Sequence, residues 1–128
     1  MLIGELADRA ETSARTLRYY EQRGLVRSRR STNGYRVYDE DELQIVRKIR
    51  ALVALGFDLA DTQPFVTCLR AGNLSGDECP DSVDTLRHKL TEVDEAIDKL
   101  ATVRQRLHDQ LTDATSEPPP TPRCEFTY

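Results

Sequence analysis

From Asp81 to Ala114 the chain contains neither glycine nor proline, and Pro80 stands immediately before that run. Within it Val83, Leu86, Leu90, Val93, Ile97, Leu100, Leu107 and Leu111 follow alternating steps of three and four residues, the 3.5-residue spacing of a coiled-coil seam. Arg104 is the one interruption, a charge where the pattern asks for an apolar side chain. At 1.5 Å per residue, a helix from Pro80 to Ala114 is about 50 Å long. A chain of 128 residues, 38% hydrophobic and 6% aromatic, has too little core to cover such a stripe. The simplest partner is the same helix from a second copy.

The residues before this helix read as a small helical head. Ile3, Leu6, Ala7 and Ala10 have the i, i+3, i+4, i+7 spacing of a short helix. Glu11 and Thr12 make a turn, and Ser13 is a good N-cap for a second helix that stops at Gly24. Leu17 is its inward residue. Asn33-Gly34 followed by the alternating YRVY signals a hairpin within 27–39. A helix-turn-helix followed by a short basic hairpin is the layout of a winged helix. A third helix spans 42–55, capped by Asp39 or Asp41, with Leu43, Val46, Ile49, Leu52 and Val53 on its inner stripe. Gly56 ends it and Phe57 follows as an apolar contact. A fourth segment spans 59–69, where Pro64 either starts the second of two short turns or kinks the helix. The fold class is mainly α: a winged helix-turn-helix head over 1–70, a connecting loop over 71–79, a dimerisation helix over 80–114 and a Pro-rich tail over 115–128.

Charge is segregated along the chain. Up to Tyr38 there are eight Arg and no Lys against four acids, a net +4, whereas the remaining 90 residues carry ten basic and eighteen acidic side chains. The overall −4 therefore hides a basic head on an acidic body, and only the head is suited to a polyanion. In SARTLRYYEQRGL (13–25), Arg15, Arg18, Tyr19, Tyr20, Glu21, Gln22 and Arg23 bring polar tips to successive turns.

IGELA near the start, TLRYYE with GL two residues on, the NGYRVYD wing and the LGF closing the third helix together resemble the MerR family of bacterial transcription regulators. The match runs in order from Met1 to Val66. The resemblance implies that the second helix enters the major groove of promoter DNA and that two copies bind an inverted repeat. The long helices would pair as an antiparallel coiled coil. Effector binding would then distort a promoter with overlong spacing so that RNA polymerase can use it, making DNA deformability part of specificity. The expected DNA contacts are Ser13, Arg15, Thr16, Arg18, Tyr19 and Tyr20 on the second helix, with Arg30, Arg36 and Tyr38 on the wing. Arg15 and Arg18 are placed to read base edges, for which Arg on guanine is the commonest pairing. Arg27, Arg29 and Arg30 read as phosphate-neutralising charges, and Arg36 and Tyr38 as backbone or minor-groove contacts. Tyr20 reads equally well as a half-buried brace beside Leu17.

Three cysteines in a chain without a secretion signal argue against a disulfide framework and for free or reactive thiols. Cys79, at the start of the long helix, is the expected effector residue, because a helix N-terminus favours thiolate. Cys68 lies eleven residues earlier and is its candidate disulfide partner, or else an ordinary small core residue. Small metal-sensing members of the family carry a cysteine where Cys79 stands, so a soft ion held by Cys79 and Cys124 across the dimer is an alternative. An organic ligand is the third.

Catalysis is not expected. His88 and His108 lie on the coiled-coil stretch facing away from the seam, no nucleophile–base pair or phosphate loop is recognisable, and the abundant acids read as solvated helix faces. A coiled-coil adaptor with a basic head for an acidic protein is the other class the composition admits. No apolar run approaches the roughly 18 residues of a membrane span, and the charged N-terminus lacks a signal core, so the expected location is cytoplasmic.

Overall fold

The computed structural model describes residues 1–116. In chain order they form α1 (Ile3–Arg9), α2 (Ala14–Gln22), β1 (Arg29–Arg30), β2 (Arg36–Val37), α3 (Glu40–Ala54), a 3-10 turn (Leu59–Thr62), α4 (Gln63–Arg70) and α5 (Pro80–Ser116). The chain divides into two compact units after Lys89.

Local chemistry explains the helix ends of the first unit. Ser13 caps α2 by accepting the Thr16 N–H at 3.1 Å. All four helices from α1 to α4 stop in the same paired arrangement: the second residue beyond the cap bonds back five positions, and the residue before it bonds back to the next carbonyl. At α2 these bonds are Leu25 N–H to Tyr20 O and Gly24 N–H to Glu21 O, both 3.0 Å. The arrangement needs a left-handed residue, and Gly24 supplies it at φ 77°. At the helix-turn-helix corner the same place falls to Glu11, at φ 56°.

The core of this unit joins Leu6 and Ala7 of α1, Leu17 and Tyr20 of α2, and Leu43, Ile45, Val46 and Ile49 of α3, with Val66 of α4. A second cluster sets Leu52 against Phe57 and Phe65, whose rings meet edge-on at 5.8 Å between centroids, and Leu86 of α5 covers them. Leu86 therefore serves the head, and the free stripe of α5 starts later than its spacing suggests.

Two sequence-based expectations for the third helix shift, its side-chain cap and its inner stripe, whereas the division at Pro64 is as expected. Asp39 precedes α3, but its side chain makes no capping bond. The acidic first turn of Glu40, Asp41 and Glu42 serves the helix dipole instead. Val53 is exposed, while Ile45, which the inner stripe omitted, is buried at 3%. Pro64 lies in the first turn of α4, just after the 3-10 turn, where its missing N–H breaks no helical bond.

The second unit consists, among the described residues, of the rest of α5. Leu90, Val93, Ile97, Leu100, Val103, Leu107 and Leu111 are all exposed on it. Val103 stands beside Arg104 and carries the apolar face past the charge, together with Leu100, Leu107 and Leu111. His108 borders that same shallow face rather than pointing away from it. The helix continues to Ser116, two residues beyond the expected end.

Candidate nucleic-acid interface

The α2 helix and the wing come together through one carboxylate. Glu21, on the last turn of α2, accepts the Tyr38 hydroxyl at 2.9 Å and pairs with Arg36 at 2.5 Å. The hairpin pairs Arg29 with Val37 and Arg30 with Arg36, so one rung carries two arginines. Its five-residue end is closed by Ser31 N–H to Tyr35 O at 2.8 Å, and Arg30 donates to Gly34 O at 3.0 Å. Arg15 and Arg18 are exposed on α2, Arg30 and Arg36 on the wing. Arg18, Tyr35, Arg36 and Tyr38 line one groove with Leu2 and Ile3.

The expected DNA contacts fall into two groups. Arg15, Arg18, Tyr19, Arg30 and Arg36 present themselves outward, and Tyr19 is 49% exposed with the Arg23 guanidinium 5.8 Å over its ring. Ser13 and Thr16 sit at the head of α2, their hydroxyls 3.0 Å apart. Tyr20 and Tyr38 differ. Tyr20 is 7% exposed in the core, the brace reading rather than a groove contact. Tyr38 is 2% exposed, and its backbone pairs with Met1, donating N–H to Met1 O at 2.7 Å and accepting the terminal ammonium at 2.9 Å. Burial, then the bond to Glu21, push its phenol up to about 12. It is a packing residue with its hydroxyl spent on Glu21, which corrects its placement among the DNA contacts.

Two residues of this surface escaped the sequence reading. Tyr35, 65% exposed, is the outward aromatic of the wing in place of Tyr38. Glu21 looked like one more polar tip, and a partner 15 residues away leaves no local signal.

Behind the interface, Glu42 is buried and not a solvated acid. It accepts Arg70 at 2.7 Å and 3.2 Å and the Arg27 N–H at 3.0 Å, while Arg70 also donates to Leu25 O at 2.8 Å. This pair fastens α4 to α3 and to the segment entering the wing. Two residues back on α4, Cys68 is joined to Cys79 by a disulfide with Cα atoms 5.8 Å apart. The pairing expected between Cys79 and Cys68 is thus present, neither is a free thiol, and Cys79 Sγ is engaged by Cys68 rather than open to a metal. Cys124 and the Pro-rich tail lie outside the described residues. Among the described residues no group of three or more His, Cys, Asp or Glu is arranged to hold a metal ion.

Comparison with known proteins decides the family. The model described as MerR HTH family regulatory protein matches residues 1–66, and that described as MerR, DNA binding matches 42–110. The HTH-type transcriptional regulator HmrR of Rhizobium leguminosarum bv. viciae is 32% identical over 107 residues, 84% of this chain and 81% of that protein. The chain belongs to the MerR family. It carries the DNA-binding region of that family, and the relatives it matches are transcription regulators. The nodulation protein NolA of Bradyrhizobium elkanii is 35% identical over 111 residues, 86% of this chain. The chain spans 46% of that relative's length. Among solved structures, the transcription regulator PbrR691 from Ralstonia metallidurans CH34, in complex with Lead(II), has a TM-score of 0.67 at 27% identity. That match covers 85% of this chain and 83% of the other. No helix of the described MerR-family chain is long and apolar enough to cross a membrane.

Proposed function

We propose that this MerR-family regulator acts as a homodimer on an inverted-repeat promoter operator, which it distorts for RNA polymerase when an effector reaches Cys79. The observation that carries the reading is the shared outward presentation of Arg15 and Arg18 from α2 with Arg30 and Arg36 from the wing, the wing being tied to α2 through the Glu21 contacts to Arg36 and Tyr38. Exposed cations on a helix and its adjoining wing suit a groove and its flanking phosphates. Arg18 is assigned to a base edge and Arg30 to phosphate.

The test uses duplex DNA carrying the inverted repeat upstream of the protein's own gene. Arg18→Ala is expected to cost about 1–3 kcal/mol on that duplex and to relax preference at one base position. Arg30→Ala is expected to weaken binding evenly across sequences and to flatten the salt slope by about one unit. Unchanged affinity in Arg18→Ala would remove α2 as the reading helix. A shallow salt slope for the unmodified protein would favour an acidic protein partner instead of DNA.

The Lead(II)-bound neighbour supports a second reading, in which reduced Cys79 and Cys124 hold a soft ion across the dimer. Cys124→Ser separates the two. It abolishes a transcriptional response to a soft metal and leaves a response to oxidants intact. A promoter that still answers its inducer with Cys79→Ser points to an organic ligand.

A further inference from the structure

The two sulfurs of the Cys68–Cys79 bridge sit in unlike surroundings. Cys68 is 1% exposed on α4, whereas Cys79 is partly exposed at the end of the loop, immediately before α5. Asn73 directs its side-chain amide at both halves of the bridge, donating to the Cys68 carbonyl at 3.0 Å and to Cys79 Sγ at 3.4 Å. An amide N–H at sulfur favours negative charge there, and so does the N-terminal end of a 37-residue helix. On the other side, the Glu78 carboxylate lies 3.8 Å from Cys68 Sγ. Ser75 bonds to Glu78 through its N–H and its hydroxyl, both at 2.8 Å, which holds the carboxyl ionised with a pKa of about 2. That charge disfavours a thiolate at Cys68. The exposed sulfur is suited to carry charge and the buried one to stay neutral.

We propose that Cys68 and Cys79 are a reversible thiol–disulfide exchange site for small thiols and disulfides, with Cys79 as the attacking sulfur and Cys68 as the resolving one. The proposal rests on the reading of Cys79 as the residue where the effector acts, and supplies its chemistry. In closure, the Cys79 thiolate attacks a small disulfide, forming a mixed disulfide and expelling one thiolate. Cys68 sulfur then attacks Cys79 Sγ, and the second small thiolate leaves. Two electrons pass from the cysteines to the small disulfide, and the two cysteine protons end on the two small thiols released. Opening is the reverse. The output leaves along α4, where Arg70 stands two residues past Cys68 and grips Glu42 and Leu25 O at the root of the wing.

The test equilibrates the full-length protein, carrying Cys124→Ser so that only the pair reacts, in buffers of varied glutathione and glutathione disulfide. Free thiols are then alkylated and the species weighed by mass spectrometry. The expected result is a single two-electron transition that reverses with the buffer. Adding Cys68→Ser traps a glutathione adduct on Cys79, whereas adding Cys79→Ser gives Cys68 almost none. A bridge that stays closed at every ratio, or equal adduct formation on either cysteine, would overturn the proposal. The same samples titrated with the promoter duplex report separately on the DNA reading: binding lost in both redox forms would sink that reading, while the adduct pattern still decides the switch.

Discussion

Tyr38 shows how a residue type that suits DNA can be claimed by the core. The resemblance to the family's wing made Arg36 and Tyr38 both look like contacts, and in YRVY the alternation puts them on one face. The backbone pairing with Met1 draws Tyr38 inward and leaves Tyr35 outside. Nothing local to the motif signals that pairing, because its partner is 37 residues away. The consequence is measurable. The Tyr38 phenol is raised from 10.0 to about 12, first by burial and then by its bond to Glu21. A raised folded-state value means that the contribution to stability is complete below pH 10 and is lost as pH rises towards 12. Tyr38→Phe is expected to cost about 1 kcal/mol at pH 8 for the lost hydrogen bond. Its deficit against the unmodified protein should shrink between pH 10 and 12, as read by urea unfolding. An absorbance titration of tyrosinate should lose its step near pH 12 in the same variant. A step that persists would assign the raised phenol to another tyrosine.

At the scale of elements, most of the helical head was legible. Apolar spacing gave α1 and α3, the Ser13 cap and the Gly24 stop gave α2, and Gly24 and Gly56 marked two ends where a left-handed residue is required. Pro64 divided the segment after α3 for the reason its chemistry suggests, since proline is tolerated only in a helix's first turn. The join between elements was not legible. Glu42 lies in an acidic first turn and reads as solvated, yet it is 5% exposed and bound to Arg70, 28 residues on. Periodicity describes one helix at a time and is silent about a charge that answers another helix. Arg70→Met should leave Glu42 buried without its cation and cost about 3 kcal/mol or more in urea unfolding, as for other broken buried pairs. Adding Glu42→Leu should recover a large part of that loss, because two apolar side chains need no partner. If the single variant loses no more than a surface ion pair would, about 0–1 kcal/mol, then Arg70 is not what fastens α4 to the wing.

At the scale of the whole molecule, α5 carries the strongest constraint in the sequence and the clearest residual demand in the structure. The 3.5-residue stripe was legible, but its use was not uniform. Leu86 was recruited to cover Phe57 and Phe65, which leaves the stretch from Leu90 to Leu111 as the candidate seam. Leu90, Ile97, Leu100, Leu107 and Leu111 are each more than half exposed on it. Covering such side chains with a second copy gains about 1 kcal/mol for each half-buried leucine or isoleucine. Over two helices that is on the order of 10 kcal/mol, comparable with the cost of association of about 4–15 kcal/mol. The balance is close enough that losing the middle of the seam should separate the copies. Leu90→Glu with Ile97→Glu is therefore expected to sediment as a monomer at concentrations where the unmodified protein is a dimer, while the head keeps its circular dichroism and its Cys68–Cys79 bridge. Because an inverted repeat needs two heads at fixed spacing, the same variant should lose affinity for the two-site duplex but keep its weak binding to a single half-site. A double variant that remains dimeric would place the interface on a different surface of the chain.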